Sequence, residues 1–436
     1  TRLATCWPNS KIVQAPFQSP DSELMLPTGT PLSAWLTWLE SLSPNEIDLG
    51  LERVREVLER LELPVARHVI IVAGTNGKGS SVAMMSALLR AAGKRVGTYT
   101  SPHVIDYNER IVVQGQPVSD DEIVAAFEKI EAVREDVPLT YFEYGTLAAF
   151  VVFAEAALDV WVLEVGMGGR LDATNVVEPT AALITTVSLD HCDWLGKDIE
   201  TIAVEKAGVM RGGIPVVFGS AEVPKAIIDH AESLGARLLL RGRDYSLDSV
   251  PQPGLRGEFH IGNAAAVLTL LRAAGLEEAA DEALAASVLP GVQLMGRGHS
   301  IEQDGVEWLL DVAHNPAAAE VLAATLGSEQ HPGETTAIIG MLDDKDIDGI
   351  VEPLNQHVDR WIAVTAKSHR AVPAAELARQ VANVCGRPCL IAESLDEAME
   401  SARRDASIND RILVTGSFYL VGPVLERLRL YSRPLL

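Results

Sequence analysis

Gly74-Thr75-Asn76-Gly77-Lys78-Gly79-Ser80 is the stretch on which the reading of this chain turns. Val69-Ile70-Ile71-Val72-Ala73 precedes it, an apolar run rich in β-branched residues that predicts a buried strand. Val82-Ala83-Met84-Met85-Ser86-Ala87-Leu88-Leu89 follows it and reads as helix. A strand, a glycine-rich turn and a helix start, in that order, make a phosphate cradle. Glycines let backbone N–H groups crowd one side, the helix N-terminus adds partial positive charge, and the lysine reaches the outer phosphates. The usual loop of this kind has four residues between its first glycine and the Gly-Lys pair. Here only Thr75 and Asn76 intervene, and Gly79 separates the lysine from Ser80. The competing reading is a strand-to-helix turn that binds nothing, but a lysine inside such a turn has no packing purpose.

The partners of that loop are constrained by charge. The 436 residues carry 36 basic against 60 acidic side chains, a formal charge of −24. Nucleic acid and anionic membrane are therefore not expected as partners. An anionic ligand must be held by a few local cations or a metal. Cys6, Cys192, Cys385 and Cys389 are too scattered for a disulfide framework. Cys385 and Cys389 read as small apolar packing residues rather than a zinc pair, because no second ligand pair accompanies them. The longest apolar run, Leu147 to Ala154, is too short to span a bilayer. Residues 1–30 show no basic stretch followed by an apolar one, so no export signal is expected and the cytoplasm is the expected compartment.

Outward from the loop, strand and helix patterns alternate. Residues 1–30 are rich in Pro, Ser, Gln and Thr and are expected to form a mobile arm. Short apolar runs at Arg95–Tyr99, Val160–Leu163, Ala181–Val187 and Pro215–Phe218 predict strands, and Tyr144–Ala157 and Ile199–Val209 predict helices. Glycine and proline cluster from Leu289 to Gly298; beyond them strands are expected at Trp308–Val312, Ala337–Gly340, Trp361–Thr365 and Arg411–Thr415. The expected fold is α/β: a doubly wound, mostly parallel sheet carrying the phosphate loop over 31–295, then a smaller Rossmann-like α/β domain over 296–436.

Ligand sites in parallel sheets lie outside the C-terminal strand ends. Lys78, Ser101, Glu164 and His191 each follow or end a predicted strand, so one crevice is expected to collect them. A hydroxyl, a carboxylate and an imidazole around phosphates suit magnesium. Singly, Glu164 could cap a loop and His191 could be a surface histidine. By its residues alone Lys206, in Glu205-Lys206-Ala207-Gly208, reads as a surface helical lysine paired at most with a nearby acid. Asp311 and His314 sit at a strand end before Pro316 and would face the crevice or form an Asx turn. Arg297 reads equally as a structural ion pair or a phosphate clamp.

Taken together, the motifs resemble one family. Gly74 to Ser80, Thr100-Ser101-Pro102-His103, Asn108-Glu109-Arg110, Glu164 to Asn175, Leu189-Asp190-His191 and Glu205-Lys206-Ala207-Gly208 are similar to those of folylpolyglutamate synthases, within the ATP-dependent Mur ligases. Leu139-Thr140-Tyr141-Phe142-Glu143-Tyr144-Gly145-Thr146 and Asp193-Trp194-Leu195-Gly196 resemble the bacterial bifunctional branch that also makes dihydrofolate. The resemblance implies that ATP phosphorylates a substrate carboxylate and that L-glutamate then attacks the acyl phosphate. The substrates it implies are dihydropteroate and reduced folates. It implies that Gly74, Thr75, Asn76, Gly77, Lys78, Gly79, Ser80, Asn263, Arg297 and Asp311 bind ATP, with His314 beside the acyl phosphate. It implies two Mg2+ sites, built from Ser101, Glu164, His191 and a carbamylated Lys206, which reverses the surface reading of that lysine. Leu49, Gly50, Thr140, Phe142 and Asp172 would form the pterin pocket, and Arg110 and Ser417 would meet the incoming glutamate. A monomer is implied as well. One departure is Met295-Gly296-Arg297, where the family often has Pro-Gly-Arg; the arginine is retained. A cell-wall ligase acting on a nucleotide-linked sugar is the nearest alternative, against which Thr140 to Thr146 speaks. A nucleotide-binding switch or kinase would need no amino acid.

Overall fold

The computed structural model describes residues 27, 29–42, 48–329 and 331–430. The expected arm over 1–30 lies outside the described residues except at 27, 29 and 30.

The first sheet contains β1 (His68–Ala73), β2 (Val96–Tyr99), β3 (Ile111–Val113), β4 (Gln116–Pro117), β5 (Val160–Glu164), β6 (Ala181–Ile184), β7 (Pro215–Phe218) and β8 (Arg237–Leu240). Their order across the sheet is β4-β3-β2-β5-β1-β6-β7-β8. The strands from β2 through β8 in that order run parallel, and the short β3–β4 hairpin is antiparallel at one edge. Strand β1 shows why the sequence folds this way. Val69, Ile71 and Ala73 pack into the core on one face and Ile70 and Val72 into the core on the other. A strand buried on both faces reads as a continuous apolar run because helices cover both sides. The chain leaves β1 for β2 and β5 on one side and crosses to β6 on the other. That reversal opens a crevice at the C-terminal ends of β1, β5 and β6.

The second sheet contains β9 (His299–Gln303), β10 (Val306–Asp311), β11 (Thr335–Ile339), β12 (Arg360–Ala363), β13 (Cys389–Ile391) and β14 (Arg411–Thr415), in the order β13-β12-β11-β14-β10-β9. All pairs are parallel except β9 with β10. Cys385 and Cys389 pack against the apolar core on one side of this sheet. Among the described residues no helix is long and apolar enough to cross a membrane.

One helix begins earlier than its apolar pattern suggests. It spans Tyr141–Glu155 rather than starting at Tyr144, because Thr140 caps it. The Thr140 side chain accepts from the Glu143 N–H, and the Glu143 carboxylate accepts from the Thr140 N–H at 2.7 Å. Such a capping box satisfies two N–H groups at the helix start and fixes where the helix begins.

Candidate active site

The C-terminal ends of the two sheets face each other across a cleft of about 740 Å³. Lys78, Ser101, Glu164 and His191 all line it, as does Lys206. The phosphate loop is fastened to the end of β6. The Thr75 N–H donates to the Thr186 carbonyl at 2.9 Å, and the Thr185 hydroxyl donates to the Asn76 carbonyl at 2.6 Å. Gly74 has φ +144°, and a Cβ there would lie 1.9 Å from the Thr185 hydroxyl oxygen, so no other residue fits. The helix Lys78–Ala91 starts at the lysine with no side-chain cap, leaving its first N–H groups for an anion. Lys78 is curled back, its Nζ donating to the carbonyls of Gly74 at 2.9 Å and Thr75 at 3.2 Å. Burial lowers its pKa against the pull of nearby Glu164. A polyanion would compensate this desolvated ammonium.

Glu164 ends β5 in a buried position, 5% exposed, and its Oε2 accepts from the Ser101 N–H at 3.2 Å. Burial raises its pKa, and the Lys78 charge opposes the rise. His191 adopts φ +50°, and burial lowers its imidazole to about 4. At neutral pH its ring is therefore neutral and has a lone pair to offer. A carboxylate, a hydroxyl and a neutral imidazole on one cleft form a donor set that fits a divalent cation.

Lys206 overturns its reading as a surface lysine. It is 3% exposed, at the end of the helix Ile199–Ala207, and it points into the cleft. Its neighbour Glu205 instead pairs outward with Arg170 at 2.8 Å. Burial, aided by the charge of Lys78, brings the Lys206 amine down to about 7.

The second sheet contributes its own residues. His314 lines the cleft, with Nδ1 3.0 Å from the Val312 carbonyl and Nε2 3.7 Å from Asp190. The half-buried Arg297 guanidinium lies 5.2 Å over the Phe418 ring, with Asp311 among its charged neighbours. Lys345 and Asn315, which sequence reading does not single out, both reach Asp190, at 3.2 Å and 2.9 Å. Burial opposes the Asp190 charge, but His314, His191 and Lys345 outweigh it and hold the carboxyl well below its usual range. Asn315 also pairs with Asn76 of the phosphate loop, amide to amide at 3.1 Å.

Leu49, Gly50, Thr140, Phe142, Asp172, Arg110 and Ser417 line the same cleft. Phe142 lies on Gly166, where a Cβ would be 2.6 Å from the ring. Arg110 is buried between the rings of Tyr107 and Tyr141 and donates to His103 Nδ1 at 2.9 Å. Burial, with the Arg110 charge, lowers His103 to about 3, leaving it a neutral acceptor. Ser417 caps the helix Phe418–Arg427.

Three expected ATP contacts do not line the cleft. Asn263 is buried behind the loop, donating to the Ser80 hydroxyl at 3.2 Å, so the two hold each other. Asp311 accepts from the Gly298 and Ala313 N–H groups at 2.7 and 2.9 Å, and so shapes the turn leading to His314. The Asx-turn reading of that segment is thus realised by Asp311, and Asn315 caps the helix Pro316–Ser328.

Residues 72–243 match the Mur ligase middle domain, and residues 296–418 match the Mur ligase glutamate ligase domain. The dihydrofolate synthase/folylpolyglutamate synthase of Escherichia coli is 41% identical, over 91% of this chain and 95% of its own. The chain belongs to the dihydrofolate synthase/folylpolyglutamate synthase family. A second family member, from Bacillus subtilis, is 31% identical over 90% of this chain and 98% of its own. The E. coli enzyme FolC in complex with DHPP and ADP superposes with a TM-score of 0.86 at 40% identity, covering 92% of this chain and 98% of that one. The family enzyme of Yersinia pestis, solved with AMPPNP and Mn ion, gives 0.85 at 40% identity, covering 93% of this chain and all of its own.

Proposed function

We propose that this protein is an ADP-forming ligase that adds L-glutamate to dihydropteroate, giving dihydrofolate, and to reduced folates, giving folylpolyglutamates. The observation that carries the reading is one cleft lined together by a phosphate loop, the cations Lys78, Lys206 and Arg297, and the aromatic ring of Phe142. A free carboxylate is a poor electrophile. Transfer of the γ-phosphoryl group of ATP to it forms an acyl phosphate and ADP. The glutamate amino nitrogen then attacks the carbonyl carbon, sheds a proton, and phosphate departs as the amide forms.

Lys78 and the loop N–H groups would neutralise the transferring phosphoryl group, together with Arg297. Ser101 and Glu164 would hold one magnesium ion, and Glu164, His191 and Lys206 a second. The ions would supply charge neutralisation at the phosphates. The Lys206 amine, near neutrality, would attack carbon dioxide, forming an N–C bond and releasing a proton, so that a cation becomes an oxygen ligand. His314 would stand beside the acyl phosphate. Buried Arg110, which has a neutral histidine rather than an acid at its Nε, suits a glutamate carboxylate, with Ser417 near it. The 31–295 part would bind ATP and the pterin, and the 296–436 part would close over them. Both halves of the cleft come from one chain, in keeping with action as a monomer.

The test supplies ATP, magnesium, dihydropteroate and L-glutamate and follows phosphate and product mass. One glutamyl unit gained per phosphate is expected. Phosphate release, or a phosphorylated product, indifferent to glutamate would instead indicate a switch or kinase. A second outcome concerns the pterin wall. Gly166→Ala would push the Phe142 ring out of place, and KM for dihydropteroate should rise about tenfold with KM for ATP unchanged. An unaltered dihydropteroate KM would remove Phe142 from that wall.

A further inference from the structure

Two separate chain segments build the wall that holds Leu49, Gly50, Thr140 and Phe142, and the Arg53 side chain links them. Asp48-Leu49-Gly50 leads into the helix Glu52–Leu61, and Thr140 caps the helix Tyr141–Glu155. Arg53 lies in the first turn of the former helix. Its Nη1 pairs with the Asp48 carboxylate at 2.8 Å, and its Nη2 donates to the Asp48 carbonyl at 2.7 Å. The same Nη2 donates to Glu143 Oε1 at 3.0 Å, and Nε points at Oε2 at 3.4 Å. Glu143 is 3% exposed, and its Oε2 also accepts the Thr140 N–H at 2.7 Å. An unbroken chain of charge-assisted contacts thus runs from Asp48 through Arg53 and Glu143 to Thr140.

A planar guanidinium can bridge two acceptors in fixed directions, which a flexible ammonium cannot. Glu143 buries its charge at a cost that Arg53 and the Thr140 N–H reduce. The arrangement therefore ties segment 48–50 to the start of the other helix, and the two sides of the wall keep one spacing. We propose that Arg53, which does not itself line the cleft, is a positioning residue that sets the width of the pterin-binding wall and thereby the affinity for dihydropteroate. This rests on the assignment of that wall under the proposed function.

Kinetics of the full-length chain test it. For Arg53→Ala, KM for dihydropteroate should rise about tenfold or more, while kcat and the KM values for ATP and glutamate stay within about twofold. For Arg53→Lys, which keeps a cation beside Glu143 but loses the fork, the rise should be intermediate, about threefold to fivefold. Phe142→Ala is the control for the wall itself. If Phe142→Ala raises the dihydropteroate KM and Arg53→Ala does not, the clamp is overturned and the wall stands. If neither raises it, the wall assignment falls and the clamp with it. An equal loss across all substrates would show a general folding role and overturn the proposal. Should Arg53→Ala fail to fold because Glu143 is left unpaired, Arg53→Lys decides: a dihydropteroate KM equal to that of the parent overturns the clamp.

Discussion

Lys206→Ala is expected to lower kcat for glutamyl transfer by about 10³-fold, and Lys206→Arg by a similar factor. The arginine variant makes the test specific. If Lys206 served as a cation for phosphate, arginine would retain much of the activity. If the amine must take up carbon dioxide and become an oxygen ligand, arginine cannot replace it. Near-parental turnover in Lys206→Arg would overturn the carbamate role. A readout independent of turnover accompanies it. Burial brings the Lys206 amine from an ordinary 10.5 to about 7, so the folded chain releases that proton more readily than the unfolded chain. The unfolded state then binds more protons between those values, and stability rises with pH across that window. Below about 7 the full penalty is present; above the ordinary lysine value it is gone. Urea titrations without bicarbonate should therefore show the parent gaining on Lys206→Met as pH climbs from 7 toward 10. A constant difference would mean that the amine is not desolvated.

Asp190→Asn is expected to reduce kcat/KM by about 10²-fold, because it removes a buried charge on which three residues of the opposite sheet converge. Among the described residues Lys345 would keep Asp344, at 3.2 Å, as its ionic partner, and His314 would lose the carboxylate beside its Nε2. Asn315 could still donate to the new amide oxygen, so the fold should survive. Small-angle scattering of the free protein should give a larger radius of gyration for the variant than for the parent. Unchanged kinetics together with an unchanged radius would show that Asp190 does not hold the cleft closed.

The legible and illegible parts of this molecule differ by a physical criterion. Strand β1 and the Gly74–Ser80 turn are legible because their constraints are local: burial on both faces of a strand, then a backbone path open to glycine. Pro215–Phe218 and Arg411–Thr415 are legible as strands for the same reason. Two hairpins escape the periodicity reading, although each carries a local signal. Gln114-Gly115 separates β3 from β4 and Asp304-Gly305 separates β9 from β10, all four residues with positive φ. An Asp-Gly or similar pair between short runs marks a tight turn, but β9 is half exposed and lacks an apolar run to draw attention to it. Lys206 is illegible from its neighbours because what lowers its amine is burial in the tertiary fold, then the charge of Lys78, 128 positions away in the sequence. The meeting of Asp190 with Lys345, 155 positions apart, likewise has no trace in residue spacing. The family motifs imply a role for Lys206 but not the reach of Lys345.

The paired amides of Asn76 and Asn315 place the nucleotide loop and the opposite half of the cleft in one thermodynamic cycle. A ligand that favours this pairing raises the affinity of every other ligand that favours it, by the same factor in each direction. Under the proposed roles, ATP on the loop and glutamate on the opposite half would bind cooperatively to the extent that each favours this pairing.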